Sequence, residues 1–317
     1  RLKRPIHHVL RILRYKHLYT AVVIFFLLFF KAFWSPDILF LVFLTIFAVY
    51  GHAKEYIRKF TPVVALLISY DALRGIVPLI SHRVHYWPMI NFDRWLFGGQ
   101  LPTNMLQNLW HPGSALHWYD FYFYALYMLH FLIPFGVAAL IWKYRPNRFW
   151  QFGGALLLLS YAGFITYIIF PAAPPWMASD MHLIPHLTKI STDVWWSWSV
   201  HSLPNIYETF NPNPVAAVPS LHAAYPTLEF WFIRRFFGWK PAALFLVYAA
   251  SLWIGVVYLG EHYVFDVLLG MIYGTSAFWI SELVIIKGWH RPVIARVKRI
   301  RPRRRTNVPG DAPASRV

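Results

Sequence analysis

The chain has 317 residues, of which 58% are hydrophobic, 20% aromatic and only 14% charged. A soluble domain of this length needs more charged side chains to cover its surface. The composition therefore excludes an ordinary soluble enzyme and predicts an all-α integral membrane protein with several spans. The sequence contains no cysteine, which excludes disulfide and thiolate chemistry.

The net charge of +17 first suggests a nucleic-acid-binding protein, but the distribution of the charge argues against it. Of the 30 Lys and Arg residues, 25 lie in five segments, namely 1–17, 51–60, 143–148, 234–240 and 287–317. Basic residues accumulate on the cytoplasmic side of membrane proteins, and here they place both termini in the cytoplasm. We therefore predict the lipid bilayer as a partner and no nucleic acid, whereas the oligomeric state stays open.

Apolar runs that can cross the membrane recur along the chain, since a spanning helix needs roughly 20 apolar residues. They predict a helical bundle of about eight spans. In chain order these are 18–34, 37–52, 61–80, 118–142, 149–170, 222–237, 241–259 and 263–286. The basic N-terminus before the first run indicates a membrane anchor rather than a cleavable signal peptide.

Four regions follow from this order of spans. They are a basic cytoplasmic arm (1–17), an N-terminal helical hairpin (18–60), a six-span core (61–286) and a basic, partly disordered cytoplasmic tail (287–317). Two long stretches of the core, 81–117 and 171–221, fall on the non-cytoplasmic side and are rich in Trp and Pro. The first fits short helices in the headgroup plane, and the second has the length of a substrate-facing loop.

The stretch "VPSLHAA", residues 218–224, lies at the outer end of the sixth predicted span. Pro219 and Ser220 are typical of a helix start, where Pro costs no hydrogen bond and Ser caps free backbone N–H groups. This structural role does not account for His222, because an ionisable side chain about one turn into a membrane segment is costly. His222 is therefore a candidate functional residue.

A second candidate stretch is "YLGEHYVFDVLLG", residues 258–270, at the outer end of the last span. His262 and Asp266 are four residues apart, so on a helix they share one face. Asp266 can then accept the ring N–H of His262, which fixes the tautomer of a nucleophilic histidine. The predicted topology places this pair level with His222.

Two histidines and one carboxylate beside a helix N-terminus indicate phosphoryl transfer. One histidine attacks phosphorus, and the other donates and accepts the proton, while helix N–H groups hold the phosphate. His222, His262 and Asp266 could also bind zinc in principle. However, no H-E-x-x-H spacing occurs, and Glu261 lies off the face of His262 and Asp266. We predict chemistry without a metal or another cofactor, because histidine carries the phosphoryl group by itself.

"PSLH" and "HYVFD" resemble the second and third motifs of the type 2 phosphatidic acid phosphatase superfamily, P-S-G-H and S-R-x5-H-x3-D. This resemblance implies a six-helix catalytic core, here the last six spans. It further implies that His262 is the nucleophile, Asp266 its partner and His222 the general acid, and that Ser220 contributes to phosphate binding.

The chain also departs from this superfamily's pattern. The first motif, K-x6-R-P, is not found in the core, Val256 stands where the third motif has Arg, and Leu221 replaces the glycine of the second motif. Both cationic groups that usually clamp the phosphate are therefore missing, and another residue must neutralise it.

Three further stretches, "SYDALRG" (69–75), "FDRWLFGGQLP" (92–102) and "FPAAPPWM" (170–177), extend the resemblance to the aureobasidin-resistance, inositol-phosphorylceramide-synthase-like branch. This branch implies transfer of a phospho-head-group, possibly phosphoinositol, between lipids. It makes Arg74 the leading replacement clamp. Further candidates for binding phosphate or head-group are Asp71, Arg94 and Lys189.

Two alternatives stay open from the sequence. One is a lipid phosphate phosphatase that hydrolyses phosphatidic acid or a polyprenyl (pyro)phosphate, and the other is a transporter or scaffold without catalysis. The substrate partner is thus a phospholipid or a polyprenyl phosphate. In each case we expect a plasma or inner membrane protein whose site faces the non-cytoplasmic side.

Overall fold

The computed structural model describes residues 36–74, 77, 83–198 and 213–288. The predicted basic arm, the first span and nearly all of the tail lie outside these residues. Eleven α-helices occur in the described part. They are α1 (Pro36–Val49), α2 (Ala53–Arg74), α3 (Trp87–Leu96), α4 (Pro102–Trp110), α5 (Trp118–Tyr144), α6 (Phe149–Ile169), α7 (Pro175–Asp180), α8 (Ile190–Trp198), α9 (Leu221–Phe237), α10 (Trp239–Tyr258) and α11 (Val264–Ile286).

Within the described residues, α5, α6, α10 and α11 are long and apolar enough to cross a membrane. This confirms the predicted helical membrane fold. The ends of the last five predicted spans agree with the observed helices to within two residues. The count of eight spans and the division into four regions remain predictions, since the first predicted span is not described.

Helix α2 begins at Ala53 rather than at the predicted residue 61. The apolar run alone misses its first two turns, because Lys54, Glu55 and Arg58 there are polar and exposed. Tyr56 nevertheless is fully buried, and its ring stacks on Phe47 of α1 with centroids 5.0 Å apart. The first two turns of α2 are therefore amphipathic, and packing against α1 stabilises them as a helix.

Helices α9 and α11 pack closely against each other. A Cβ atom added at Gly270 or Gly274 of α11 would lie under 3.0 Å from a backbone oxygen of α9, that of Ser220 or Ala224 respectively. Two glycines four residues apart on one face let two helix backbones approach closely, as in membrane helix pairs. This contact places the start of α9 beside the start of α11.

Three segments between the helices pair with one another beside the start of α9. The segments around His85, Ala172 and Ala216 pair as short parallel bridges. The N–H of Ala172 donates to the Val215 oxygen at 2.8 Å, and the N–H of Ala217 donates to the Ala172 oxygen at 3.2 Å. Main-chain hydrogen bonds thus fix the position of the segment that precedes α9.

Candidate active site

Helix α9 starts at Leu221, and Ser220 occupies the position before it with no exposed surface. The predicted capping role of Ser220 is wrong, because its hydroxyl makes no hydrogen bond to the helix. Within the described residues this buried hydroxyl has no hydrogen-bond partner. The main-chain N–H of Ser220 instead donates to the Asp266 carbonyl oxygen at 3.1 Å, which ties the start of α9 to α11.

In the structure His222 contacts His262, and His262 contacts Asp266. The Nδ1 atom of His222 lies 3.3 Å from Nε2 of His262. On the other side of the His262 ring, Nδ1 lies 3.4 Å from Oδ2 of Asp266. His262 is 6% exposed, and Asp266 is fully buried. The order His222, His262, Asp266 is the arrangement of a proton carrier, a nucleophile and an orienting carboxylate.

The turn before α11 explains how His262 reaches this position. Helix α10 ends at Tyr258, and the N–H groups of Glu261 and His262 both donate to the Val256 oxygen at 3.1 Å. His262 therefore precedes α11, and the prediction that His262 and Asp266 share a helix face is wrong in that respect. Asp266 meets His262 from the first turn of α11, where its Oδ2 also accepts the N–H of Tyr263 at 2.9 Å.

This geometry argues against one metal ion held by the three residues. His262 presents Nε2 to His222 and Nδ1 to Asp266, so its two neighbours face opposite edges of the imidazole ring. A single ion bound to one ring nitrogen cannot be reached by ligands on both edges.

The Asp93 carboxylate holds the first turn of α11, a role that the sequence did not reveal. Asp93 is fully buried, and its two oxygens accept the N–H groups of Val264 and Phe265, each at 3.0 Å. These are orphan donors of a helix N-terminus, which acidic groups commonly satisfy. Burial raises the pKa of Asp93 to about 6, although the two hydrogen bonds oppose the shift.

This raised pKa gives a testable pH dependence of stability. The folded pKa of about 6 lies above the unfolded value of roughly 3.9, so folding favours the protonated acid. The contribution of Asp93 to the free energy of unfolding, about 3 kcal/mol, is fully present below about pH 4 and is lost as the pH rises through 6. We expect Asp93→Asn to remove this loss, measured as thermal unfolding in detergent between pH 4 and 7.5.

Asp180→Asn is the matched control, because Asp180 is an exposed aspartate. It should keep the pH dependence of the parent protein. An identical pH profile for Asp93→Asn and the parent would contradict the role assigned to the buried carboxylate.

Ring side chains of α5 pack against the imidazole of His222. The His222 ring stacks on Tyr127 with centroids 4.3 Å apart, and it contacts His130 at the same distance. His130 is 4% exposed and stacks on Tyr225 at 5.0 Å. His130 was not predicted as a site residue, although a histidine within an apolar span is a candidate functional residue by default.

Arg94 and Lys189 are the two other candidates for head-group binding whose side chains the structure describes. Arg94 is half-buried and lines a cavity of about 330 Å³ together with Gln100 and Asn104. The Lys189 ammonium lies over the Trp176 ring, 4.3 Å from its centroid. Trp176 in turn donates its main-chain N–H to the Gly260 oxygen at 3.2 Å, which places Lys189 near the turn of His262.

The predicted clamp formed by Asp71 and Arg74 belongs to the end of α2. Both residues belong to the last turn of α2, but their side chains lie outside the described part of the structure. Their roles remain predictions.

A membrane helix bundle with two facing histidines and a carboxylate at the ends of two helices defines a class of enzymes that transfer or hydrolyse phosphoryl groups on lipids. Residues 88–280 match the model of the PAP2 superfamily. This match covers more than half of the chain, so the protein belongs to the PAP2 superfamily of phosphotransferases and phosphatases, as the resemblance predicted.

Named relatives agree with this family. The chain is 30% identical over 216 residues to the phosphoinositol dihydroceramide synthase of Bacteroides thetaiotaomicron, covering 64% of this chain and 69% of the relative. It is 27% identical to the inositol phosphorylceramide synthase of Candida albicans, over 49% of this chain and 34% of the relative. A similar match, also 27% identical, joins 53% of the chain to 42% of the Saccharomyces cerevisiae catalytic subunit. No solved structure matches significantly.

Proposed function

We propose that this protein transfers a phosphoinositol head-group from a phospholipid to the hydroxyl of a ceramide-type lipid, through a phosphohistidine at His262. The observation that carries the proposal is the pair of successive contacts from His222 to His262 and from His262 to Asp266, where α9 and α11 begin. The names of the relatives supply the substrate class.

In the first half-reaction, Nε2 of His262 attacks the phosphorus of the donor phosphodiester. A P–N bond forms and the P–O bond to the diacylglycerol breaks, while His222 gives its proton to the departing oxygen. Asp266 accepts the Nδ1–H of His262, which leaves the lone pair on Nε2 and stabilises the charged ring.

In the second half-reaction, His222 removes the proton of the acceptor hydroxyl. The acceptor oxygen attacks phosphorus, the P–N bond breaks, and His262 returns to its neutral form. Both protons pass through His222, so the cycle leaves the enzyme unchanged and needs no cofactor. The Tyr127 ring stacked on His222 keeps its imidazole in place during both steps.

Several groups are available to bind the phosphate oxygens. The N-terminus of α9 supplies main-chain N–H groups and a positive dipole end. Ser220 offers a buried hydroxyl with no hydrogen bond inside the described residues. Lys189 and Arg94 supply positive charge on the same face, and we keep Arg74 and Asp71 as predicted contributors. A phosphodiester carries less charge than a phosphomonoester, which suits a site that lacks the superfamily's usual Lys and Arg.

We also propose that the site faces the non-cytoplasmic side of the membrane. Helix α9 begins beside His222 and ends with Arg234 and Arg235, and α5 ends with Lys143 at its last turn. Basic residues mark the cytoplasmic side, and here they lie at the helix ends opposite the histidines.

The test is a transfer assay with purified protein in detergent. We expect phosphatidylinositol and ceramide together to yield inositol phosphorylceramide and diacylglycerol, identified by mass spectrometry, and neither lipid alone to yield the product. Release of inorganic phosphate from phosphatidic acid or a polyprenyl phosphate, with no acceptor-dependent product, would make the protein a phosphatase. Absence of turnover on every lipid would favour a transporter or scaffold.

A further inference from the structure

A second group of histidine and carboxylate side chains lies at the outer end of α5. His111 follows α4, His117 occupies the position before α5, and Asp120 lies in the first turn of α5. One donor atom from each of the three residues lies within 4.8 Å of the other two. No step of the proposed reaction uses these residues, and none of them was predicted as a site residue.

The two histidines of this cluster approach the same oxygen of Asp120. The Nδ1 atoms of His111 and His117 lie 3.5 and 3.8 Å from Oδ2 of Asp120. Two ligand atoms on a tetrahedral zinc ion, with bonds of roughly 2.0–2.1 Å, are about 3.4 Å apart. Both contacts are close to that separation, so a shared cation requires only small movements of the side chains.

His111 supplies a second and independent indication of a ligand. Its side chain is 6% exposed, and neither ring nitrogen has a hydrogen-bond partner within the described residues. A buried imidazole without such a partner is expensive. A bound cation would satisfy one of its ring nitrogens.

The Asp120 carboxylate is oriented as a metal ligand usually is. Its Oδ1 accepts the hydroxyl of Tyr258, and its Oδ2 accepts the main-chain N–H of His117 at 2.7 Å. Such outer contacts fix the direction of a ligating carboxylate.

We propose that His111, His117 and Asp120 bind one divalent cation, with zinc as the best fit for two imidazoles and a carboxylate. Water completes the tetrahedron. The ion would fasten the segment between α4 and α5 to the start of α5. Through the hydroxyl of Tyr258 it would also brace the end of α10, four residues before His262. This proposal is independent of the proposed reaction and gives the ion a structural role.

The test measures the metal content of the full chain, purified in detergent with a tag that contains no histidine. After exposure to zinc and removal of the excess, we expect about one zinc per chain by plasma mass spectrometry. His111→Ala and His117→Gln should lower zinc affinity at least tenfold. His186→Ala is the control, because His186 is an exposed histidine of the outer face and should keep full zinc content.

A second readout does not depend on the variants. Zinc added to chelator-treated protein should raise the unfolding midpoint by about 5 °C or more at saturating concentration. His117→Gln remains informative if His111→Ala does not fold, since the His117 side chain is 42% exposed. Less than about a tenth of a zinc per chain in the parent protein, or equal zinc in His117→Gln and His186→Ala, would overturn the proposal.

Discussion

Replacing His262 with alanine is expected to lower head-group transfer at least about a thousandfold, the scale seen when a covalent nucleophile is removed. The reason is that Nε2 of His262 forms the bond to phosphorus, and neither His222 nor Asp266 can take that position without moving the helix that carries it. The measurement is the initial rate of acceptor-dependent product formation in detergent, with binding of the donor lipid measured in parallel.

The control for this variant is His52→Ala. His52 is exposed and lies next to α2, at the end opposite Arg74 and far along the chain from the site. Its removal should leave the rate within about twofold. Thermal unfolding of His262→Ala close to that of the parent would show that the fold is intact. If a well-folded His262→Ala enzyme kept a tenth of the parent rate, the phosphohistidine mechanism would be wrong.

Gly270→Ala is expected to lower stability by about 1–3 kcal/mol or more, the cost of overpacking a tight contact. The new methyl group would lie under 3.0 Å from the main-chain oxygen of Ser220, which cannot move away as a flexible side chain can. The clash can be relieved only if α9 and α11 move apart. We therefore expect activity to fall by more than the stability loss alone implies, because His222 and His262 sit on opposite sides of this contact.

The matched control is Gly154→Ala on α6. A Cβ atom at Gly154 meets nothing within 4 Å, and the residue is exposed. Alanine is a better helix former than glycine by up to about 1 kcal/mol, so this variant should be as stable as the parent or more stable. Both variants are compared by thermal unfolding and by transfer rate. Equal unfolding midpoints for Gly270→Ala and the parent would show that the helix pair tolerates separation.

The amino-acid sequence by itself determined the class of fold and the ends of the last five spans. Long apolar runs, bounded by basic segments and prolines, predicted the last five spans to within two residues. Such signals are local, because a spanning helix satisfies its own main-chain hydrogen bonds and needs apolar side chains along its length. The motifs around His222 and His262 were equally local, and the superfamily resemblance that they carry is confirmed.

Only the tertiary structure decided how these motifs meet. Asp93 caps α11 from 171 residues earlier in the chain, and no local pattern links an aspartate in "FDRW" to the N–H of Val264. The same holds for Gly270, whose lack of a side chain has meaning only beside Ser220. Contacts of this kind depend on which helix faces pack together, and that choice is made by the whole bundle rather than by any single segment.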